Sequence, residues 1–437
     1  MTTEEFISIH ADDDVRQLAL KARPDGDIDL PFALDQIAGR QTARRKLPSW
    51  AATEGIIYPP HLSMEQCSGE PAARYKASVA ARLTHRADAA VDGHDAATGA
   101  TDTTGGRLNA REDGQRDCRE ECDGILVDIT GGFGVDFSYM ARNFGKAIYV
   151  ERQEHLCRIA EANFRRLGLT QAATINGDGP EYIAGMEDHA SLIYADPARR
   201  DDHGGRTFAI SDCTPDILSI LGMLLNHAPH VMLKLSPMLD WRKAVRDISE
   251  TGATVSEVHI VATAGECKEL LTVICREPAN GLRIFCVNDG TTVEYDADET
   301  VPEPFSAAGC PDEDIPAPPC YVYEPNASVM KAGCFGLIAS RYGVRQISRD
   351  SHLFVSRNAV GDFPGRRFEV TAVTTMNKKE LRRTLSGVTK ANITVRNFPM
   401  NTATLRRRLK LAEGGDTYIM ATTTAGGCHI LLICNKA

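Results

Sequence analysis

Apolar residues follow two alternating rhythms between residues 123 and 280. Ile125 to Val127 is a short apolar run ending in Asp128, and Gly131, Gly132 and Gly134 follow before helical spacing begins. Val135 to Phe144 then sets Phe137, Met140, Ala141 and Phe144 on one helical face. Ala147 to Val150 reads as a strand ending in Glu151, and Leu156, Ile159, Ala160, Phe164 and Leu167 mark a second amphipathic helix that stops at Gly168. The same beat returns at Thr174 to Asn176, before Gly177-Asp178, and at Ser191 to Ala195, before Asp196-Pro197. Val231 to Leu235 ends in Ser236-Pro237, and Val255 to Thr263 with Leu270 to Cys275 predict an antiparallel closing pair. Strands alternating with helices in this way predict a doubly wound α/β sheet.

The flanks have other patterns. Residues 12 to 85 read as helices, opened by Asp12 to Asp14 and carrying a basic cluster at Arg40, Arg44, Arg45 and Lys46. Residues 86 to 122 hold almost no large apolar side chain and predict disorder. Gly281 to Val287 opens a small module, and Glu303 to Cys320 is an acidic, Pro-rich linker. Asn377 to Leu385 and Thr402 to Leu411 read as helices, the second stopped at Gly414-Gly415. Asn392 to Arg396, Tyr418 to Thr422 and Cys428 to Cys434 read as strands, with a hairpin signal at Gly426-Gly427. The expected division is 1–85, 86–122, 123–280, 281–325 and 326–437.

The chemistry gathers at strand ends, where open α/β sheets place ligand contacts. The turn after Asp128 has no Gly-Lys-Ser/Thr, so it is not a phosphate-cradling P-loop, and Phe137 stands where the dinucleotide fingerprint needs a third glycine. A glycine turn that begins with an acid suits a sulfonium nucleoside better than a nucleotide. Glu151 follows Asp128 by 23 positions, near the spacing at which such folds put an acid on ribose hydroxyls. One acid at one strand end is ordinarily a turn residue or a helix cap. Four in order after a glycine turn point to a site.

This series resembles the class I S-adenosylmethionine-dependent methyltransferases over residues 123–280. The resemblance implies a Rossmann-like sheet in which the Asp128–Gly134 loop, with Thr130, Gly131, Gly132 and Gly134, lies under the methionine part of S-adenosylmethionine. It implies Asp128 or Asp136 at the amino group, Glu151 on the ribose, Asp178 on the adenine, and Asp196-Pro197 beside the transferred methyl as the catalytic pair. Many nucleic-acid amino methyltransferases follow Asp-Pro with Pro and an aromatic residue, whereas Ala198 and Arg199 stand here. Arg199 offers a planar guanidinium for a phosphate or a base. Lys234 is expected either beside substrate phosphate or, with slight preference, as a surface cation. Ser236-Pro237 holds no cysteine for covalent attack on a pyrimidine.

The net charge of −10 hides an asymmetry. Lys331 to Lys410 holds 17 Lys and Arg against 4 Asp and Glu, an excess of 13 positive charges that leaves −23 on the rest. A polyanion partner for this part is the expectation, with Lys390, Arg396, Arg406, Arg407 and Arg408 as phosphate contacts. The segments Lys390 to Pro399, Leu405 to Leu411 and Gly414 to Tyr418 resemble the THUMP-like α+β domain at the C-terminus of a family of class I methyltransferases. Lys46 to Trp50, Tyr58 to Pro60 and Ser63 to Ser68 resemble the leader of the same family. THUMP domains bind RNA in tRNA-modifying enzymes, so the resemblance implies RNA as partner.

Cys118 and Cys122 have zinc-like spacing without a second pair, so no metal is expected. Thirteen scattered cysteines, no signal peptide and no long apolar span lead to the expectation of a cytoplasmic protein away from membranes. The resulting expectation is a methyltransferase of structured RNA, rRNA or tRNA. Two rivals stay open: an RNA-binding protein whose fold retains the cofactor without turnover, and a methyltransferase of protein or a small molecule.

Overall fold

The computed structural model describes residues 1–21, 28–91, 124–199, 210–277, 279–299, 315 and 317–437. Cys118, Cys122, Arg200, residues 92–122 of the expected disordered stretch and most of the acidic linker lie outside them. The described chain forms two compact units, residues 1–257 with 270–280, and residues 258–269 with 281–437.

The first unit opens with six helices: α1 (Thr3–Ile9), α2 (Val15–Lys21), α3 (Leu30–Lys46), α4 (Pro48–Ala52), α5 (His61–Gln66) and α6 (Glu70–Val91). The sheet follows with β1 (Ile125–Asp128), α7 (Val135–Met140), β2 (Lys146–Glu151), α8 (Glu154–Arg166), β3 (Ala172–Asn176), α9 (Gly179–Ala184) and β4 (Leu192–Ala195). A two-stranded ribbon, β5 (Ala198–Arg199) with β6 (Cys213–Thr214), leads to α10 (Ile217–His227), β7 (His230–Leu235), α11 (Trp241–Ser249), β8 (Thr254–Thr263) and β9 (Glu266–Cys275). Strands β3, β2, β1, β4 and β7 lie side by side in parallel, and β9 joins β7 antiparallel. The sheet order reverses at β1, whose neighbours are β2 and β4, and open α/β sheets bind ligands at that reversal.

Strands β1, β2 and β4 are buried on both faces, which is why they read as apolar runs, whereas β3 at the sheet's edge is only partly covered. Phe137, Tyr149 and Phe164 fill one side with mutually tilted rings, so the residue in place of the third fingerprint glycine is a core wedge. Helix α6 packs Ala77, Ala80 and Leu83 into that core. It continues to Val91, beyond the expected end of the helical region.

The second unit contains β10 (Arg283–Asn288) and β11 (Thr291–Asp296), then β12 (Cys320–Pro325), α12 (Ala327–Ala332), α13 (Phe335–Tyr342), β13 (Arg345–Gln346) and β14 (Phe354–Ser356). It ends with β15 (Gly365–Thr375), α14 (Lys378–Thr384), β16 (Asn392–Val395), α15 (Thr402–Leu409), β17 (Thr417–Thr423) and β18 (His429–Lys436). Seven of these strands form one sheet in the order β13-β14-β12-β15-β18-β17-β16. Asn377 caps α14 and Asn401 caps α15, each accepting backbone N–H bonds of the first turn. Helix α15 stops earlier than its sequence suggested, because Lys410 takes φ +58° and turns the chain before the glycines.

Candidate active site

Strand β1 ends in a turn held by its own side chains. The Thr130 N–H donates to Asp128 Oδ1 at 2.9 Å, and Thr130 Oγ1 accepts the Asp196 N–H at 2.6 Å, tying the glycine turn to the end of β4. A Cβ on Gly131 would lie 2.2 Å from the Tyr149 ring, so close packing against β2 requires glycine there. Gly134 caps α7 at φ +79°, a conformation that favours glycine. Glu151 receives the Gly132 and Gln153 N–H groups at 2.8 Å each, one on either carboxylate oxygen. The acid assigned to the ribose therefore sits under the turn and shapes it.

Asp128 is almost wholly enclosed, and burial pushes its carboxyl up to about 8. The Thr130 N–H opposes that rise, while the charges of Asp136, Asp196 and Glu151 add to it.

Asp136 proves to be a structural anion. Ser68 Oγ and Tyr194 OH both donate to its Oδ2 at 2.9 Å, Lys76 Nζ lies 3.2 Å from Oδ1, and Lys234 Nζ lies 3.9 Å from Oδ2. Burial works to raise its pKa, but the two ammonium groups and the two hydroxyls outweigh it and hold the carboxyl below its usual range. Of the alternatives for the amino group, Asp128 keeps that role open and Asp136 is committed elsewhere. Lys234 corrects the surface expectation as well: its side chain is 12% exposed and its Nζ donates to Asp196 Oδ2 at 2.5 Å.

The N-terminal helices supply part of this wall, which sequence reasoning missed. Trp50, 1% exposed, meets Phe133 of the glycine turn edge-on at 4.9 Å between ring centroids. Lys46 Nζ donates to the carbonyls of Met64 and Glu65, fixing the segment that leads to Cys67 and Ser68. Lys76 is fully buried and also donates to Ser68 Oγ at 3.0 Å. A signal for Lys76 existed, since it falls on the apolar stripe of Ala73, Ala77, Ala80 and Leu83 in α6. A lysine on such a stripe needs an anion across the interface. Ser68 ends the leader-like segment Ser63 to Ser68, which gave it no role, and nothing marked Tyr194.

The remaining expected site residues divide. Asp178 caps α9 by accepting the Glu181 N–H and pairs with Arg152; the two outweigh the upward push of burial and hold its carboxyl low. An adenine amino group there would compete with Arg152. Pro197 is buried after Asp196, and Arg199 lies in the ribbon opposite Cys213. In the second unit, Arg396 donates to Glu324 at 2.7 Å, and Arg406 donates to the carbonyls of Ala391 and Ala412 at 2.8 and 3.1 Å. Both are structural clamps, which corrects their assignment to phosphate. Lys390, Arg407 and Arg408 are exposed. So are Lys378, Lys379, Arg382 and Arg383 of α14, which line an open depression of about 510 Å³. Among the described residues there is no group of three or more His, Cys, Asp or Glu placed to hold a metal, and no helix is long and apolar enough to cross a membrane.

Comparison with known proteins agrees with this architecture. Residues 365–436 match the THUMP domain-like family, and residues 321–364 match a ferredoxin-like domain family. A protein from Porphyromonas gingivalis W83, described as a "putative methyltransferase", is 28% identical and superimposes with a TM-score of 0.77 over 100% of this chain and 99% of its own. A SAM-dependent methyltransferase from Agrobacterium tumefaciens is 18% identical over 35% of this chain and 56% of its own, with a TM-score of 0.28. An rRNA methylase from Streptococcus thermophilus is 12% identical over 36% of this chain and 90% of its own, also at 0.28. No curated protein matches the sequence. On its sheet order, its glycine turn and the full-length likeness to the Porphyromonas protein, the chain is a class I methyltransferase-fold protein with a C-terminal THUMP-like domain.

Proposed function

We propose that the chain is an S-adenosylmethionine-dependent methyltransferase of structured RNA, with residues 123–280 as the catalytic domain and 326–437 as the RNA-holding domain. The observation that carries this reading is the convergence of Asp128, Glu151 and Asp196 on one glycine turn at the sheet's reversal, with Thr130 linking the first and last of them. Asp128 and Glu151 fit the cofactor: Asp128 is enclosed at the end of β1, where the positive charge of an ammonium seated against it would favour the ionised carboxylate, and Glu151 stands at the end of β2 where ribose hydroxyls are held. When bound, S-adenosylmethionine supplies an activated methyl on a sulfonium. The protein then has to orient an acceptor and desolvate it. Asp196, the most exposed of the paired acids around the turn, is assigned to the acceptor side.

The RNA part rests on the domain type and on the excess of 13 positive charges between Lys331 and Lys410. The exposed cations of α14, with Lys390, Arg407 and Arg408, are the phosphate contacts in this reading. Thiols at Cys67, Cys157 and Cys286, among others, fit a reducing cytoplasm.

The test is transfer of tritiated methyl to total RNA, protein and small-molecule fractions from a strain lacking the gene. Label is expected in RNA with wild type and at least about a hundredfold less of it with Asp196→Ala. Binding of cofactor and RNA without transfer to any fraction would favour a non-catalytic binder, and label confined to protein or small molecules would end the RNA reading.

A further inference from the structure

Four charged side chains alternate in sign from the interior of the first unit outward. They are Lys76, Asp136, Lys234 and Asp196, with side-chain exposures of 0%, 10%, 12% and 38%. Asp196 is the outermost, and its Oδ2 lies 2.5 Å from Lys234 Nζ. A group seated against Asp196 therefore meets a carboxylate and an ammonium together.

Methyl acceptors differ in what they ask of such a pair. A neutral amine gains positive charge as its nitrogen attacks, and a neighbouring ammonium opposes that charge. A hydroxyl must lose its proton while negative charge builds on its oxygen, so it needs a base and a cation at one place. Many amino methyltransferases of nucleic acids stack the base on an aromatic ring after the Asp-Pro pair, and Ala198 and Arg199 place no such ring there.

Resting on the RNA methyltransferase reading above, we infer that the acceptor is a hydroxyl of RNA, the ribose 2′-hydroxyl, with Asp196 taking its proton and Lys234 holding its oxygen. The O–H bond breaks and the proton passes to the Asp196 carboxylate. The oxygen bonds the methyl carbon as the carbon–sulfur bond breaks, its electron pair staying on sulfur as a thioether. Asp196 then releases the proton to solvent, so the products are a methyl ether, a neutral thioether and one proton. Lys76 and Asp136 act as positioning residues, because their ion pair at 3.2 Å sets the buried anion that faces Lys234.

The experiment uses the full chain, tritiated S-adenosylmethionine and total RNA from a strain lacking the gene, followed by alkaline hydrolysis. Alkali cleaves RNA through the free 2′-hydroxyl, so ribose methylation leaves labelled dinucleotides. That is the expected product. Label in mononucleotides carrying a methylated base overturns the hydroxyl assignment and leaves the RNA methyltransferase reading standing. No label in RNA removes both. Lys234→Gln should lower transfer by about a hundredfold or more while cofactor affinity measured by calorimetry stays within a few-fold, and Lys234→Arg should recover part of the loss. Undiminished transfer by Lys234→Gln overturns the role given to Lys234. The wild-type product analysis stands independently of whether that variant folds.

Discussion

Lys76 lies buried and Lys234 half-buried against carboxylates, whereas Lys378, Lys379, Arg382 and Arg383 stand exposed on one short helix. The side-chain chemistry is alike and the environment differs. In the first setting a charge is worth several kcal/mol to its neighbours, and removing one leaves another stranded away from water. In the second, water and salt screen each charge, and the cluster matters by holding several together where phosphates can displace counterions. Net charge therefore says little about the role of a given lysine. Arg396 and Arg406, inside the basic half, fall between the two groups: they are only partly buried, and Glu324 and backbone carbonyls occupy their donors.

The contrast can be broken at several points. Asp196→Ala should cost about a hundredfold to ten-thousandfold in methyl transfer, the range for a positioned base, while cofactor affinity by calorimetry moves only a few-fold. Lys76→Met should lower stability by about 3 to 5 kcal/mol in urea unfolding, since it strands Asp136. Adding Asp136→Asn should restore most of that loss, and if the double variant is no more stable than the single one, the pair is not the cause.

Asp128 gives a pH signature. Its carboxyl rises from 3.8 in the unfolded chain to about 8 in the fold, so between these values the folded state binds the extra proton. Its contribution to stability is full below about pH 4 and is lost as pH climbs toward 8, a decline that Asp128→Asn should flatten. Unfolding midpoints that fall equally for both proteins would count against this.

Glu151→Ala should weaken S-adenosylmethionine by about 1.5 to 3 kcal/mol, the range for hydrogen bonds to a charged group. Unchanged affinity in a folded variant would remove Glu151 from the ribose. The smallest effects belong to the exposed cations. Replacing Lys378, Lys379, Arg382 and Arg383 by Ala should make the salt dependence of RNA binding shallower by about one unit per lost phosphate contact. Arg407 and Arg408 should each contribute at that scale, whereas Arg406→Ala should lower stability and leave the slope alone. Filter binding at several salt concentrations separates the two outcomes.

The sequence by itself determined the parallel strands, the helices between them, the glycine turn and the acids at the strand ends. Each is written locally: a buried strand is a short apolar run, a helix stop is a glycine, and the residue after a strand lies at the sheet's edge. Tertiary structure alone decided which acids remain available to a ligand. Asp128 and Asp136 were equal candidates along the chain, and they separated only when Ser68 and Lys76, 68 and 60 positions before Asp136, came to lie against one of them. Lys234 looked like a surface cation because its strand gives no hint of Asp196 across from it, at 2.5 Å. Sequence spacing reports periodicity along one element, whereas the fate of a charge depends on what desolvates and neutralises it, and those groups arrive from distant parts of the chain.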